Sequence, residues 1–581
     1  MGLPRAACLA EAVDSSAHPL RIGVMLDSLR TTAWVAKILR DIKQSEFATL
    51  EVVVLNDAVR LLAKPSFRQR LRNYWIHGLY NRYSQWDYKR YRTKPDAFEA
   101  VDVSELVDGS EIVRVKPIQK GFVDRFSAAD ISRVQEAGLD VVFRFGFRII
   151  RGDILNCARY GVWSFHHGDN REYRGAPPAF WEIYEGNPVT GTILQVLTDD
   201  LDGGHVIYRS FSATHPKSLY LNKNATYWKT AEFALRRLRT LYEDGWDYIQ
   251  SLPDYREPNS YAKPIYKTPR APVMMKFLAR EAISRLRHRA GATVFSNRTQ
   301  WFIAVRKRQG ARTILDDQND FRILPAPQGR FYADPFLFQK DGRNYLFFEN
   351  YSFAKRKAVI SCMELGADGR CRPAETVLER DYHLSYPFLF EWKGNVYLLP
   401  EAKLSGRIEL YRAEEFPRRW RMEKVLVNNI TAVDPTLFQY NGKLWLFANV
   451  ATSAGNTFDE LHLFYADSLL GEWAPHPKNP IVSDVRSARP GGALFFEQGH
   501  LLRPAQDCAL RYGHALVLNR VEELSESEYR EVPYARIGPE WHPKNLCTHT
   551  YSRTDAFEVL DGMFVERDLR WVSRNGVPGN H

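Results

Sequence analysis

The sequence predicts an α/β Rossmann-like domain with a mostly parallel sheet, followed by an all-β five-bladed propeller. Three observations carry this reading. At 581 residues the chain is too long for one hydrophobic core. Up to about residue 215, short apolar runs alternate with amphipathic segments. After Trp301 one pattern recurs: an X-Pro step, an apolar strand, a glycine turn and a second apolar strand.

The α/β part begins with RIGVMLD (21–27), a short buried strand, then WVAKILRDIKQ with apolar residues at helical spacing, then the strand LEVVVLND (50–57). Strand, helix and strand at this density read as a βαβ unit, hence a parallel sheet. Residues 66–98 are basic and aromatic. They read as an amphipathic helical insertion covering the sheet, with a surface for an anionic ligand as the alternative. AADISRVQEAG reads as a helix, and LDVVFRFGF, GVWSFHH and TGTILQVL as further strands.

From about 222 to 295 the pattern is helical, interrupted by the Pro-rich stretch PDYREPNSYAKPIYKTPRAP. The basic amphipathic segment MMKFLAREAISRLRHRA is read as packing between domains; an acidic membrane surface is the alternative. The X-Pro prolines then fall at 335, 387, 435 and 490, followed by DG, KG, NG and QG turns, with a weaker fifth copy near 549. Hairpin repeats of about 50 residues indicate propeller blades. The predicted organisation is a tail over 1–19, an α/β domain over 20–215, a helical and Pro-rich linker over 216–295 and the propeller over 296–575.

A hydrophobic fraction of 45% and a charged fraction of 26% fit a soluble globular protein. The net charge of +11 favours anionic partners such as a polyglutamylated folate, a nucleotide-sugar or an acidic polysaccharide. The basic residues are dispersed rather than gathered in one arm, so no nucleic acid is expected. Six cysteines show no CxxC pair and no zinc-site spacing, so no metal site is expected. Glu11 and Asp14 interrupt any leader-like core, no stretch approaches the roughly 20 apolar residues of a membrane span, and the chain is read as cytoplasmic.

The segment with the most chemistry is 164–207. It contains His166, Tyr173-Arg174-Gly175, Thr190-Gly191-Thr192 and Leu201-Asp202-Gly203-Gly204, with 36 residues from His166 to Asp202. This frame resembles the 10-formyltetrahydrofolate-dependent formyltransferases, the family of glycinamide ribonucleotide, methionyl-tRNA and sugar-nucleotide formylating enzymes. The resemblance implies a formyltransferase domain in which His166 donates to the oxyanion and Asp202 orients that histidine. It also implies 10-formyltetrahydrofolate as donor substrate, in a pocket lined by Gly146, Phe147, Arg148, Ile149 and Asp199.

The chain departs from the family in two places. The family Asn is Ser164 here, and the Ser-Leu-Leu-Pro loop is Gly168-Asp169-Asn170-Arg171. Losing one oxyanion donor costs about 10²–10³ in rate, so Ser164 itself, Asn170 or His167 would have to supply the missing donor. Asp169 and Arg171, beside Tyr173 and Arg174, are expected to recognise the amine acceptor, an amino sugar or nucleotide-sugar.

The repeat after 300 resembles the five-bladed propellers of arabinanase-like and invertase-like glycoside hydrolases, and the domain that precedes the transferase domain in plant glucosamine inositolphosphorylceramide transferases. Asp334 and Asp434 hold the AspPro positions. Arg489 stands where a hydrolase carries its acid, which argues against glycoside hydrolysis. Glu349, Glu401 and Asp507 are alternative carboxylates. The expected cleft, lined by Asp334, Glu401, Asp434 and Arg489, would bind a glycan; the other reading is that AspPro only starts a strand. The functional expectation is formyl transfer to an amino sugar, with a glycan at the propeller. Its rivals are a glycosyltransferase- or glycosidase-like propeller enzyme with a degenerate first domain, and a non-catalytic saccharide-binding protein.

Overall fold

The computed structural model describes residues 18–58, 67–200, 203–257, 263–308, 313–318, 320–451 and 455–569. The predicted tail and Asp202 lie largely or wholly outside them. The first half is built on a seven-stranded sheet in the order His205–Ala213, Val189–Val196, Val162–His166, Val141–Arg144, Leu20–Leu26, Ala48–Asn56, Glu111–Val115. Leu20–Leu26 lies inside it, parallel to both neighbours. Its apolar residues are buried on both faces, which is why it reads as a continuous apolar run rather than an alternation. Val162–His166 is parallel to Val141–Arg144, Val189–Val196 runs antiparallel to Val162–His166, and His205–Ala213 pairs antiparallel with Val189–Val196. The sheet is therefore mixed.

Helix α1 (Ala33–Gln44) lays Trp34, Val35, Ala36, Ile38, Leu39 and Ile42 on this sheet, one apolar stripe at helical period. Helices α2 (Phe67–Tyr91), α3 (Ala128–Glu136) and α4 (Phe180–Glu185) follow. Helix α5 (Leu219–Ser251), in the stretch expected to be a linker, buries Ala231, Phe233, Ala234, Leu238 and Ile249 in the same core as Leu20–Leu26. Its helical path breaks at Gly245, where φ is 81°. The short α6 (Pro253–Arg256) and the long α7 (Ala271–Val294) complete the helical region.

From Phe295 onward the described residues form five antiparallel sheets. Arg330–Lys340, Ser385–Trp392, Ala432–Tyr440 and Arg489–Pro490 each open a sheet, and successive sheets touch through these opening strands. The remaining sheet pairs Phe295–Lys307 with Phe557–Leu569, so the beginning of the region is zipped to its end. Each predicted glycine turn is present. Asp341-Gly342, Lys393-Gly394, Asn441-Gly442 and Gln498-Gly499 all have positive φ at both residues, the two-residue hairpin whose twist matches the strands.

The two halves are joined along one seam. Phe211 and Ser483 share a backbone hydrogen bond of 3.1 Å, Ser212 Oγ donates to Asp459 at 2.7 Å, and Arg236 pairs with Glu460 through contacts of 2.7 and 2.9 Å.

Candidate functional sites

The first site lies at the ends of the parallel strands, where open α/β sheets present their ligand-binding loops. Alternation along Val162–His166 puts Ser164 and His166 on one face. Ser164 is 1% exposed and in register with Arg144 of the neighbouring strand. The Arg144 guanidinium donates to Ser164 Oγ from Nε at 3.1 Å and Nη2 at 2.8 Å, and from Nη1 to the Arg148 carbonyl at 2.9 Å. Arg148 is held by Asp124, to which its Nε donates at 2.9 Å and its Nη2 at 2.6 Å. His166 Nε2 lies 2.8 Å from the Tyr173 carbonyl oxygen.

Two cavities meet here. One, of about 320 Å³, is lined by Phe147, Arg148, Ile149, His166, Leu197 and Asp199 among others. The second, of about 590 Å³, is walled by Asp27, Arg30, Trp34, Ser164 and His167 and reaches the first turn of α1. Arg144 and Phe165 belong to both walls. Gly146 lines the larger cavity, not the smaller. A Cβ there would come within 2.5 Å of the Asp27 nitrogen, so only glycine lets the loop cross the end of Leu20–Leu26.

The residues expected to grip the acceptor are committed to one another. Asp169 accepts from Arg209 Nη1 at 2.5 Å and from Arg171 Nε at 3.3 Å; Arg171 also reaches Glu257 at 3.2 Å. Asn170 is 2% exposed and accepts from Arg209. Arg209, whose side chain is only 6% exposed, supplies the reason, since a buried guanidinium needs carboxylate and carbonyl partners. Tyr173 donates its hydroxyl to Glu185 at 3.1 Å, and Arg174 reaches the Lys263 carbonyl at 3.5 Å. His167 stacks on Tyr227 with ring centres 3.5 Å apart. Its Nε2 lies 3.1 Å from Thr230 Oγ1, and burial pushes its pKa well below the ordinary value, so it is neutral. Thr230 gives its hydroxyl proton to the Tyr227 carbonyl, so His167 Nε2 is the donor to Thr230 rather than to the cavity.

The second site lies where the four opening strands meet. Asp334, Tyr386 and Asp434, each preceding its proline, have φ of 50°, 45° and 52°. Such strain costs on the order of 1–3 kcal/mol per residue and needs surrounding structure to hold it. The register of each opening strand shifts at this point. Arg489 Nε donates to Asp434 at 2.6 Å and its Nη2 reaches Glu401 at 3.4 Å; Gln506 Nε2 donates to Asp434 at 2.8 Å. On the other side His549 lies between two carboxylates, with Nδ1 at 2.5 Å from Asp561 and Nε2 at 3.4 Å from Asp334. The imidazole is stacked on Trp301 at 4.1 Å.

Every one of these charged groups is buried, with Asp334, Asp434, Arg489, His549 and Asp561 no more than 6% exposed. Burial and the neighbouring carboxylates raise Asp334 to about 7, and burial with Asp434 raises Glu401 well above its ordinary value. Burial opposes charge on His549, but Asp561 and Asp334 outweigh it and hold the pKa at about 9. Asp334, His549 and Asp561 could also offer three ligand atoms to a metal ion. Of the alternative carboxylates, Glu349 meets His383 at 3.3 Å and Asp507 faces Arg536 at 3.6 Å, both away from Arg489's immediate partners.

The structure thus brings His166, Phe147, Arg148, Ile149 and Asp199 around one cavity, and Asp334, Glu401, Asp434 and Arg489 into one buried cluster rather than the open cleft expected, because their charges pair with one another. Sequence reasoning missed Arg144, His549, Asp561 and Gln506. The fifth repeat lacks the X-Pro step that flags the other axial positions, so His549 carried no signal of its own.

The model of the family "Glucosamine inositolphosphorylceramide transferase 1, N-terminal" matches residues 325–559. Glucosamine inositolphosphorylceramide transferase 1 of Oryza sativa subsp. japonica is 39% identical over 242 residues, 40% of this chain and 32% of that protein. The chain therefore spans about a third of the length of that relative. A methionyl-tRNA formyltransferase of Synechococcus sp. (strain WH7803) is 38% identical over 72 residues, 12% of this chain and 21% of that protein. Among solved structures, Zg3597, a family 117 glycoside hydrolase of Zobellia galactanivorans, aligns with a TM-score of 0.31 at 13% identity over 45% of this chain and 90% of that one. The curated relatives are thus named as transferases.

Proposed function

We propose that the chain is a transferase whose first half moves a formyl group from 10-formyltetrahydrofolate to the amine of an amino sugar or nucleotide-sugar. The observation that carries this reading is the pair of cavities sharing Arg144 and Phe165, with His166 on the smaller and Ser164 on the larger. Group transfer needs donor and acceptor to meet at one wall. The smaller cavity suits a flat, partly polar ring, with Phe147, Ile149 and Leu197 as apolar faces and Asp199 as an acceptor for ring N–H groups. The acceptor enters the larger cavity, where Arg30 offers a cation to a phosphate. That placement moves acceptor recognition away from Asp169 and Arg171, which are spent on Arg209 and Glu257.

When bound, the donor supplies an activated carbonyl. The protein's part is to orient it against a neutral amine, to place His166 near the oxygen that gains negative charge, and to exclude water. Incubation with 10-formyltetrahydrofolate and a panel of UDP- and dTDP-linked amino sugars tests the reading. N-formyl product from the wild type and none from His166→Ala is expected; no product with any acceptor rejects it.

The five sheets form a five-bladed propeller in this reading, supported by the shared opening strands and by the pairing of Phe295–Lys307 with Phe557–Leu569. The second half then binds a saccharide. One reading competes: the family match lies wholly in this half, and its relatives are named glucosamine inositolphosphorylceramide transferases. The match covers the part named N-terminal, and among the described residues the Arg489–Asp434 pair is buried and engaged with itself rather than exposed as an acid–base couple. Recognition rather than chemistry is therefore assigned to this half.

A further inference from the structure

The outward faces of α2 and α7 form a surface that neither candidate site uses. Inwardly the two helices pack together: Tyr80 and Tyr83 of α2 and Met274 and Phe277 of α7 share a small apolar core with Phe180. Outwardly α7 exposes Met275 at 56%, Ile283 at 51% and Leu286 at 64%. At 3.6 residues per turn these three fall within an arc of about 80°. Beside them α2 exposes Trp86 at 43%, with the Arg285 guanidinium 5.2 Å from its ring centre.

The exposed charges around this apolar ridge carry one sign. Arg82, Lys89 and Arg90 of α2 and Lys276, Arg285 and Arg287 of α7 are exposed. The acids within 77–92 and 271–287 are Asp87, which is 0% exposed and accepts from Ser218 and Tyr220, and the half-buried Glu281. A helix facing water keeps polar residues outward. Large apolar side chains on one arc, a tryptophan at their edge and cations on the flanks make up a helix that lies in the plane of a bilayer interface.

We propose that the α2–α7 face docks the protein on a bilayer rich in anionic phospholipid. Met275, Ile283, Leu286 and Trp86 enter the boundary between headgroups and acyl chains, and the flanking cations meet lipid phosphates. The sign of the charge selects this partner over a second copy of the chain. Two identical basic faces would repel across a two-fold interface, whereas an anionic leaflet attracts them. Among the described residues no helix is long and apolar enough to cross a membrane; the proposal is of surface attachment.

Sedimentation of the full chain with vesicles tests it. Vesicles of phosphatidylcholine containing about 30% phosphatidylserine should bind at least tenfold more protein than phosphatidylcholine alone, and added salt should reverse the difference. Ile283→Asp with Leu286→Asp should lower binding at least tenfold with an unchanged thermal unfolding midpoint, since both side chains are exposed. Arg285→Gln with Arg287→Gln should weaken binding to the anionic vesicles by several fold through loss of charge alone. Absence of binding, equal binding to both vesicles, or binding unchanged by the aspartates would overturn the proposal. So would a dimer in solution that the aspartates convert to a monomer, which would make this face a contact between copies.

Discussion

His166 Nε2 lies 2.8 Å from the carbonyl oxygen of Tyr173, the first residue of the Tyr-Arg-Gly turn. A carbonyl only accepts, so Nε2 carries a proton toward Tyr173 and Nδ1 is the nitrogen left to meet a ligand. The loop that closes the frame thereby sets the ring plane. Replacing His166 by Ala should lower kcat for formyl transfer by about 10²–10³ with KM for the folate changed less than threefold, read by steady-state kinetics.

Arg489 and Asp434 are an ion pair out of reach of water, 6% and 1% exposed. Asp434→Ala takes the closer carboxylate from a buried guanidinium, leaving it the longer contact to Glu401, and should cost about 3–5 kcal/mol in denaturant unfolding. Adding Arg489→Met removes the stranded charge and should recover most of that loss.

His549 gives the second half a pH signature. Its folded pKa of about 9 lies above the ordinary histidine value of about 6.5, so the native state holds the proton more tightly than the unfolded chain. The stability it contributes is complete below about pH 6.5 and is lost as pH rises through about 9. Asp334, raised to about 7, acts in the same direction at lower pH. Thermal midpoints measured from pH 6 to 9.5 should fall in the wild type, and His549→Gln should flatten that slope.

Glu460 holds the seam. Burial disfavours its charge, but Arg236 outweighs burial and keeps the carboxyl at about 2, below the ordinary value of about 4.3. Its contribution is present above pH 4.3 and lost as pH falls through about 2. At neutral pH, Glu460→Ala strands Arg236 and should split one calorimetric transition into two, one for each half.

The sequence shows its architecture where local rules suffice. The DG, KG, NG and QG turns announced four hairpins because a two-residue loop demands φ > 0 at both positions, which glycine supplies at the second. Apolar runs announced the strands on either side of α1. What stayed hidden depends on contacts distant in the chain. Arg144 reads as one cation inside a strand until pairing sets it against Ser164, 20 residues on. His549 reads as part of a degenerate repeat until closure brings Asp561 and Asp334 to its two nitrogens. Asp169 and Arg171 read as open recognition groups because Arg209, 40 residues beyond Asp169, is invisible as their partner. Helix α5 read as a linker because its apolar stripe does not say which sheet it covers.

The account rests on a folate ring entering the cavity beside His166, and binding tests this before any acceptor is known. Isothermal titration of the full chain with 5-formyltetrahydrofolate should give one saturable site per chain, lost in Ile149→Trp, whose indole fills that cavity. An absence of saturable heat in the wild type, or an isotherm that Ile149→Trp leaves unchanged, would contradict it.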